Sequence, residues 1–348
     1  SRIAFANEKL PGVATFERWQ ELVESGTCDA VIVSTPHRLH TEISAFALKA
    51  GLHVLSEKPQ DISVTRAAAM NALARKSDKL YAIMFNQRTN PLFIRLREMV
   101  RGGELGEIKS FSWIITNWYR TQYYYDEGSW RATWSGEGGG VLLNQCPHQL
   151  DLWQWICGMP VKVESHLHYG KWHDIEVEDD VTTYVEYANG ATGVFITTTV
   201  DARGTNRFEI QLDKAKIVAE YGKLTVIEFD MTEQEFSATN KIPFGNVGAH
   251  EVNIELDGRN EQHVGVINAW GGAILRGEPL VADGSEGING LMLSNAMHLS
   301  SFLGKAVEIP FDEQLYKDEL MKRAATSRRK VQTEAVFADT SDTYAGNK

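Results

Sequence analysis

Two residues stand where they could move a proton. Lys58 lies in "HVLSEKPQDIS", one residue before a proline and just past a short apolar run. His148 closes the stretch "GGGVLLNQCPH". A cation favours a developing alkoxide, and an imidazole that titrates near neutral pH can carry a hydroxyl proton. On position alone, an ordinary solvated loop lysine is the better reading of Lys58. A core histidine satisfied by a backbone carbonyl stays open for His148. Cys146 has no base and orienter beside it and reads as packing, not as a nucleophile. Pro59 suits a cis peptide in a tight turn after Lys58.

Two other kinds of residue could bind rather than react. Ser34-Thr35-Pro36-His37, with His40 beyond, and Asn86-Gln87 each follow an apolar run, where backbone and side chains face a ligand groove. A plain β–α turn has the same look. Residues 111–134 hold nine of the chain's aromatic side chains. Within them Tyr119, Tyr124 and Trp130 could pack on the C–H faces of a pyranose, and Arg120 and Arg131 could donate to its hydroxyls or to a carboxylate. A structural loop or a subunit interface would be equally aromatic. His166, His168 and His173 lack a carboxylate or Cys partner at matching spacing, so no metal site is expected. The acidic run "EVEDD" reads as a turn before a strand.

These residues need a scaffold. "DAVIVS", "HVLSEK" and "YAIMF" are short β-rich runs, each followed by apolar residues at helical spacing. Ser63 is the expected N-cap of the second helix. Strand–helix alternation with short loops predicts a parallel sheet covered on both faces, with ligands beyond the strands' carboxyl ends. Residues 107–117 read as a long strand, followed by a loop of about 25 residues and a helical segment over 141–157. Six alternating segments follow between 161 and 230, and "YANGATGV" carries an Asn-Gly hairpin signal. They predict a large, mostly antiparallel sheet. Helices are expected over 261–276, 286–303 and 313–327, and a polar tail over 331–348.

The chain has 348 residues, 43% apolar and 23% charged, with a net charge of −11. Such an acidic chain is a poor partner for nucleic acid or an anionic membrane, which require clustered Lys and Arg. Neither a spanning apolar run nor a signal peptide is present. Three scattered cysteines, Cys28, Cys146 and Cys157, favour a reducing compartment, and a cytoplasmic location is expected.

The ordered set "VIVSTPHRLHTEIS", "GLHVLSEKP", "FNQR" and "SWRATWSGEGGGVLLNQCPHQLDLWQWICG" resembles the glucose–fructose oxidoreductase / inositol dehydrogenase family, Gfo/Idh/MocA. The resemblance covers roughly residues 10–310. It implies an α/β protein: an N-terminal Rossmann domain, here residues 1–105, and an α/β domain with a large, mostly antiparallel open sheet, here 106–330. It implies NAD or NADP as cofactor and a sugar, glycoside or cyclic polyol as substrate. Ser34, Thr35, Pro36, His37, His40, Glu57, Lys58, Pro59, Asn86 and Gln87 then line the cofactor. Lys58, His148 and Asn144 form the catalytic group, and Asn144 and His148 also touch substrate. The family carries an Asp at the position of Asn144, on the helical face of the histidine. An Asn can orient substrate but cannot stabilise an imidazolium by charge. The family's Gly-rich strand–turn–helix start is also missing, so on the order of 40 residues are expected to be absent upstream. A homodimer or tetramer paired through the C-terminal sheet is expected. An NAD-dependent redox glycosidase and a non-catalytic sugar sensor are the competing readings.

Overall fold

The computed structural model describes residues 2–328. The first part of the chain runs α1 (Arg2–Lys9), α2 (Trp19–Glu24), β1 (Ala30–Val33), α3 (His40–Lys49), β2 (His53–Ser56), α4 (Val64–Ala74), β3 (Tyr81–Ile83) and α5 (Pro91–Arg101). Strands β1, β2 and β3 pair in parallel in that order, in a Rossmann-like sheet. Val54, Leu55 and Ile83 of β2 and β3 are wholly buried, as in a sheet covered by helices, whereas β1 leaves Ile32 47% exposed on one face.

The second part runs β4 (Ile108–Ile115), α6 (Gln122–Asp126), α7 (Pro147–Cys157), β5 (Lys162–Tyr169), β6 (Glu178–Glu186), β7 (Thr192–Thr198), β8 (Asn206–Leu212), β9 (Ala215–Glu220), β10 (Lys223–Phe229), α8 (Glu233–Thr239), β11 (Ala249–Ile254), α9 (Gln262–Arg276), α10 (Gly287–Leu303), β12 (Val307–Glu308) and α11 (Glu313–Ala324). Nine strands form one sheet in the order β11-β10-β9-β8-β4-β7-β6-β5-β12. Every neighbouring pair is antiparallel except β4 with β7. The β6–β7 hairpin closes on the Asn-Gly turn as its sequence indicates, with Tyr187 N–H on the Ala191 carbonyl at 2.9 Å. Alternate residues of each strand face a core in which Trp113 stacks on Phe208 and Trp153 of α7 on Phe195. The opposite face carries side chains such as His166 and His168, both exposed on β5.

Three local expectations need correction. The helix expected over 141–157 begins only at Pro147, and residues 141–146 are turns. Pro147 occupies the first helical turn, where its missing N–H costs nothing. Asn144 and His148 therefore do not share a helical face. Ser63 stands at the N-cap of α4, but its hydroxyl makes no capping bond. Asp61 Oδ1 instead accepts the N–H groups of Ile62 and Ser63, and Asn295 Oδ1 accepts that of Val64. The aromatic loop is not wholly irregular, since it contains α6. The expected tail over 331–348 lies outside the described residues. Among the described residues no helix is long and apolar enough to cross a membrane.

Candidate active site

Lys58 leaves β2 into a cis Lys58–Pro59 peptide, as the sequence suggests. His40 of α3 ties this turn to the one after β1. Its Nδ1 lies 2.7 Å from the Pro59 carbonyl and its Nε2 2.6 Å from the Thr35 carbonyl. His40 is thus buried, with both ring nitrogens engaged by backbone carbonyls. The Lys58 side chain crosses to the second sheet's half of the molecule, where Nζ donates to the Asn144 backbone carbonyl at 2.9 Å. Burial lowers the Lys58 pKa, and the nearby charges of Glu57 and Glu137 oppose that effect.

The turns that carry Asn144 are built from the glycine run. Gly138 has a φ of +83°. At Gly140 a Cβ would collide with the Glu178 carbonyl, so only glycine fits. The buried Glu178 carboxylate accepts the N–H groups of Gly140 (2.8 Å) and Leu142 (3.0 Å), and His298 Nε2 lies 3.0 Å from it. Those N–H groups are thereby taken out of any helix. Asn144 ends in a defined orientation: its amide nitrogen donates to Glu137 Oε1, and Oδ1 accepts from the Tyr124 hydroxyl at 3.4 Å.

His148 is the second residue of α7, buried and edge-on to Phe85. Burial, and after it the charge of Lys58, pushes its pKa well below the usual histidine value, so the ring is neutral near pH 7. The helix is held in place by Arg88, which forks onto Asp151 (2.7 and 2.8 Å) and also reaches Glu286 (2.7 Å). All but Glu286 are buried. A planar guanidinium on a carboxylate fixes orientation as well as distance.

The aromatic loop divides by role. Phe111, Trp113, Tyr125 and Trp134 are core. Tyr119 and Tyr123 point outward, 48% and 55% exposed. Tyr124 and Trp130 face the site, with the Arg131 guanidinium 4.5 Å over the Tyr124 ring and 5.4 Å from that of Trp130. Trp130 also packs edge-on to His37. Arg120 lies over Tyr124 at 5.1 Å, but its guanidinium donates to the carbonyls of Trp118 and Tyr119 in its own loop. The loop is anchored from below by His173, which bridges the buried Asp179 and the Arg120 carbonyl.

Lys58, Asn144, His148, His37, Tyr124, Trp130 and Arg131 thus form one connected cluster of polar and aromatic side chains. Asn86 and Gln87 do not join them through their amides, which donate to Gln262 at the start of α9. Ser34, Thr35 and Pro36 follow β1 at the groove's edge. There Thr35 Oγ1 and His37 Nδ1 are buried without a hydrogen-bond partner in the protein. One residue went unrecognised in the sequence. Glu137, the lone charge in the run Gly136–Gly140, is 1% exposed and bonded to Asn144. A single charged residue inside a glycine run was the available signal.

Residues 2–85 match the model of an oxidoreductase family with an NAD-binding Rossmann fold, and residues 93–218 match the Gfo/Idh/MocA C-terminal domain. Curated relatives include levoglucosan dehydrogenase of Pseudarthrobacter phenanthrenivorans, 27% identical over 63% of this chain and 64% of the relative. D-glucoside 3-dehydrogenase of Escherichia coli is 30% identical over 53% of the chain and 55% of the relative. Inositol 2-dehydrogenase of Corynebacterium glutamicum is 25% identical over 55% and 54%. The chain thus spans less than two thirds of the length of these relatives. Among solved structures, levoglucosan dehydrogenase in complex with NADH and levoglucosan superposes with a TM-score of 0.72 at 22% identity, over 89% of this chain and 88% of that one. The WlbA dehydrogenase of Bordetella pertussis, in complex with NADH and UDP-GlcNAcA, gives 0.72 at 22% over 88% and 86%.

Proposed function

We propose that this chain, which belongs to the Gfo/Idh/MocA oxidoreductase family, is an NAD(P)-dependent dehydrogenase acting on a hydroxyl carbon of a sugar, glycoside or cyclic polyol. The observation that carries the reading is the hydrogen bond from the Lys58 ammonium to the Asn144 backbone carbonyl, with the neutral His148 imidazole near enough to feel the lysine's charge.

NAD or NADP would be held by the turns after β1 and β2, against Thr35, His37 and the Glu57–Pro59 segment; when bound, its nicotinamide supplies the hydride acceptor. The chain's own residues do the rest. Lys58 stabilises the oxygen as it gains negative charge. His148, neutral near pH 7, accepts the hydroxyl proton. The Asn144 amide oxygen accepts a hydrogen bond from the substrate and orients it. Trp130 offers ring surface to a pyranose-sized substrate, Tyr124, under the guanidinium groups of Arg120 and Arg131, offers its hydroxyl, and Arg131 offers donors to substrate hydroxyls or a carboxylate. Oxidation at a sugar C3 is within this range and is supported by the likeness to the D-glucoside 3-dehydrogenase.

In the same reading the chain divides near residue 105, works in the cytoplasm, and pairs into a dimer or tetramer through the face of the nine-stranded sheet away from its helices. The test is turnover of pyranosides, anhydrosugars and inositols with NAD⁺ and NADP⁺, followed by reduced-nicotinamide absorbance. Growth of that absorbance with a sugar supports the reading. Release of an aglycone without net reduction of the cofactor overturns it in favour of a redox glycosidase, and sugar binding without any turnover in favour of a sensor.

A further inference from the structure

We propose that Glu137 is a positioning residue of this site, whose carboxylate locks the Asn144 amide with its oxygen toward the substrate hydroxyl and balances the Lys58 ammonium. The inference rests on the dehydrogenase reading of the Lys58 cluster.

Three observations carry it. First, both carboxylate oxygens are committed to N–H donors: Oε2 to Ala132 N–H at 2.6 Å, and Oε1 to the Asn144 amide nitrogen. The amide therefore cannot turn over. Its oxygen is left with only the long 3.4 Å contact from the Tyr124 hydroxyl, and so has capacity for a substrate hydroxyl. Second, Ala132 holds a φ of +58° and is wholly buried. That conformation is costly for a residue with a Cβ and persists only where surroundings enforce it. The Glu137 bond to its N–H is one such restraint, and it sets the adjoining Arg131 and Trp130. Third, the Glu137 carboxylate supports the charged form of Lys58. The site thus regains, from a different chain position, the negative charge that Asn144 lacks.

The groups facing Glu137 are Lys58, Arg131, Tyr124, Tyr125, His37 and Glu178. Burial, with Glu178 adding to it, pushes the Glu137 carboxyl to about 7. Protonation turns one of these two oxygens into a hydroxyl, a weaker acceptor, and removes the negative charge beside Lys58. Activity is therefore expected to rise with pH through this range.

The experiment is E137Q beside the swap E137Q/N144D. In E137Q the side chain has one acceptor for two N–H groups. The Asn144 amide then turns its nitrogen to the substrate, and kcat falls roughly tenfold or more. The pH dependence near 7 disappears with it. In the swap, the amide placed at position 137 donates to the carboxylate placed at position 144, while the oxygen of that amide keeps Ala132 N–H. Both bonds are then remade, the one between positions 137 and 144 with its polarity reversed. The carboxylate returns beside Lys58, and a large part of kcat is recovered. Sugar affinity, followed by tryptophan fluorescence without turnover, separates the two readings. Sugar binding whose pH dependence E137Q abolishes, in a protein that turns nothing over, overturns the dehydrogenase reading and sustains the role of Glu137. Turnover that E137Q leaves within twofold, with an unchanged pH profile, overturns the role of Glu137 and leaves the dehydrogenase reading standing. If E137Q does not fold, the swap alone decides: a folded, active swap supports the assignment, and a folded, inactive one overturns it.

Discussion

Lys58 and Asn144, 86 residues apart in sequence, meet at 2.9 Å through an ammonium on a backbone carbonyl. The contact joins the turn after β2 to the turns before α7, so each half of the molecule supplies one of its two groups.

Removing that ammonium is expected to lower kcat by roughly 100-fold or more in Lys58→Ala, with cofactor affinity retained. Lys58→Arg is not expected to restore it, because a planar fork cannot take the place of a compact point charge against one carbonyl. Steady-state kinetics beside cofactor titration check this. A loss below tenfold with cofactor bound would remove Lys58 from the chemistry.

The His148 ring has its pKa lowered by burial first and by Lys58 second. It loses function as a base only when protonated, at pH below its lowered value. The acid limb it causes is therefore expected well under the usual histidine range. In Lys58→Met that limb should move to higher pH, since one cause of the lowering is gone. The pH dependence of kcat/KM in both proteins measures it, and an unmoved limb argues against the coupling.

Arg88 is the keystone under α7. Arg88→Ala leaves the buried Asp151 without its cation and with only the Gln154 amide as side-chain donor, which is expected to cost about 3–5 kcal/mol. The double substitution Arg88→Met, Asp151→Leu should recover much of that loss, because no orphaned charge remains. Chemical denaturation of the three proteins reads the difference. Full stability in the single variant would show that the fork does not hold the helix.

Glu137 also makes stability depend on pH. Its folded pKa, about 7, lies above the ordinary value of 4.5. The stability linked to it is present in full below the unfolded pKa and is lost as pH rises from there through about 7. At pH 8 the loss is at most on the order of 3 kcal/mol. Wild-type protein should therefore lose more stability than E137Q between pH 5 and 8. Parallel slopes in the two proteins would contradict it.

Arg131 stacks on Tyr124 and Trp130 without a close partner for its donors; its carboxylate neighbour, Glu127, is 3.7 Å away. Arg131→Met is expected to raise KM about tenfold with kcat little changed, as loss of binding common to ground and transition states predicts. A fall in kcat at constant KM would place Arg131 in the chemistry instead.

The sequence by itself determined the alternation of β1 to α5, the two sheets, the hairpin at Asn189-Gly190 and the position of Lys58 at a strand end. All of these follow from local signals: apolar period, turn residues and chain order. Tertiary structure alone decided where α7 begins, because the Glu178 carboxylate that holds Gly140 and Leu142 comes from 36 to 38 residues away and is joined by His298, 120 residues further on. It also directed His40, Asn86 and Gln87 inward to protein partners, and it joined Glu137 to Asn144. A side chain's partner is set by the packing of distant elements, and no periodicity along the chain encodes which way an amide or an imidazole will turn.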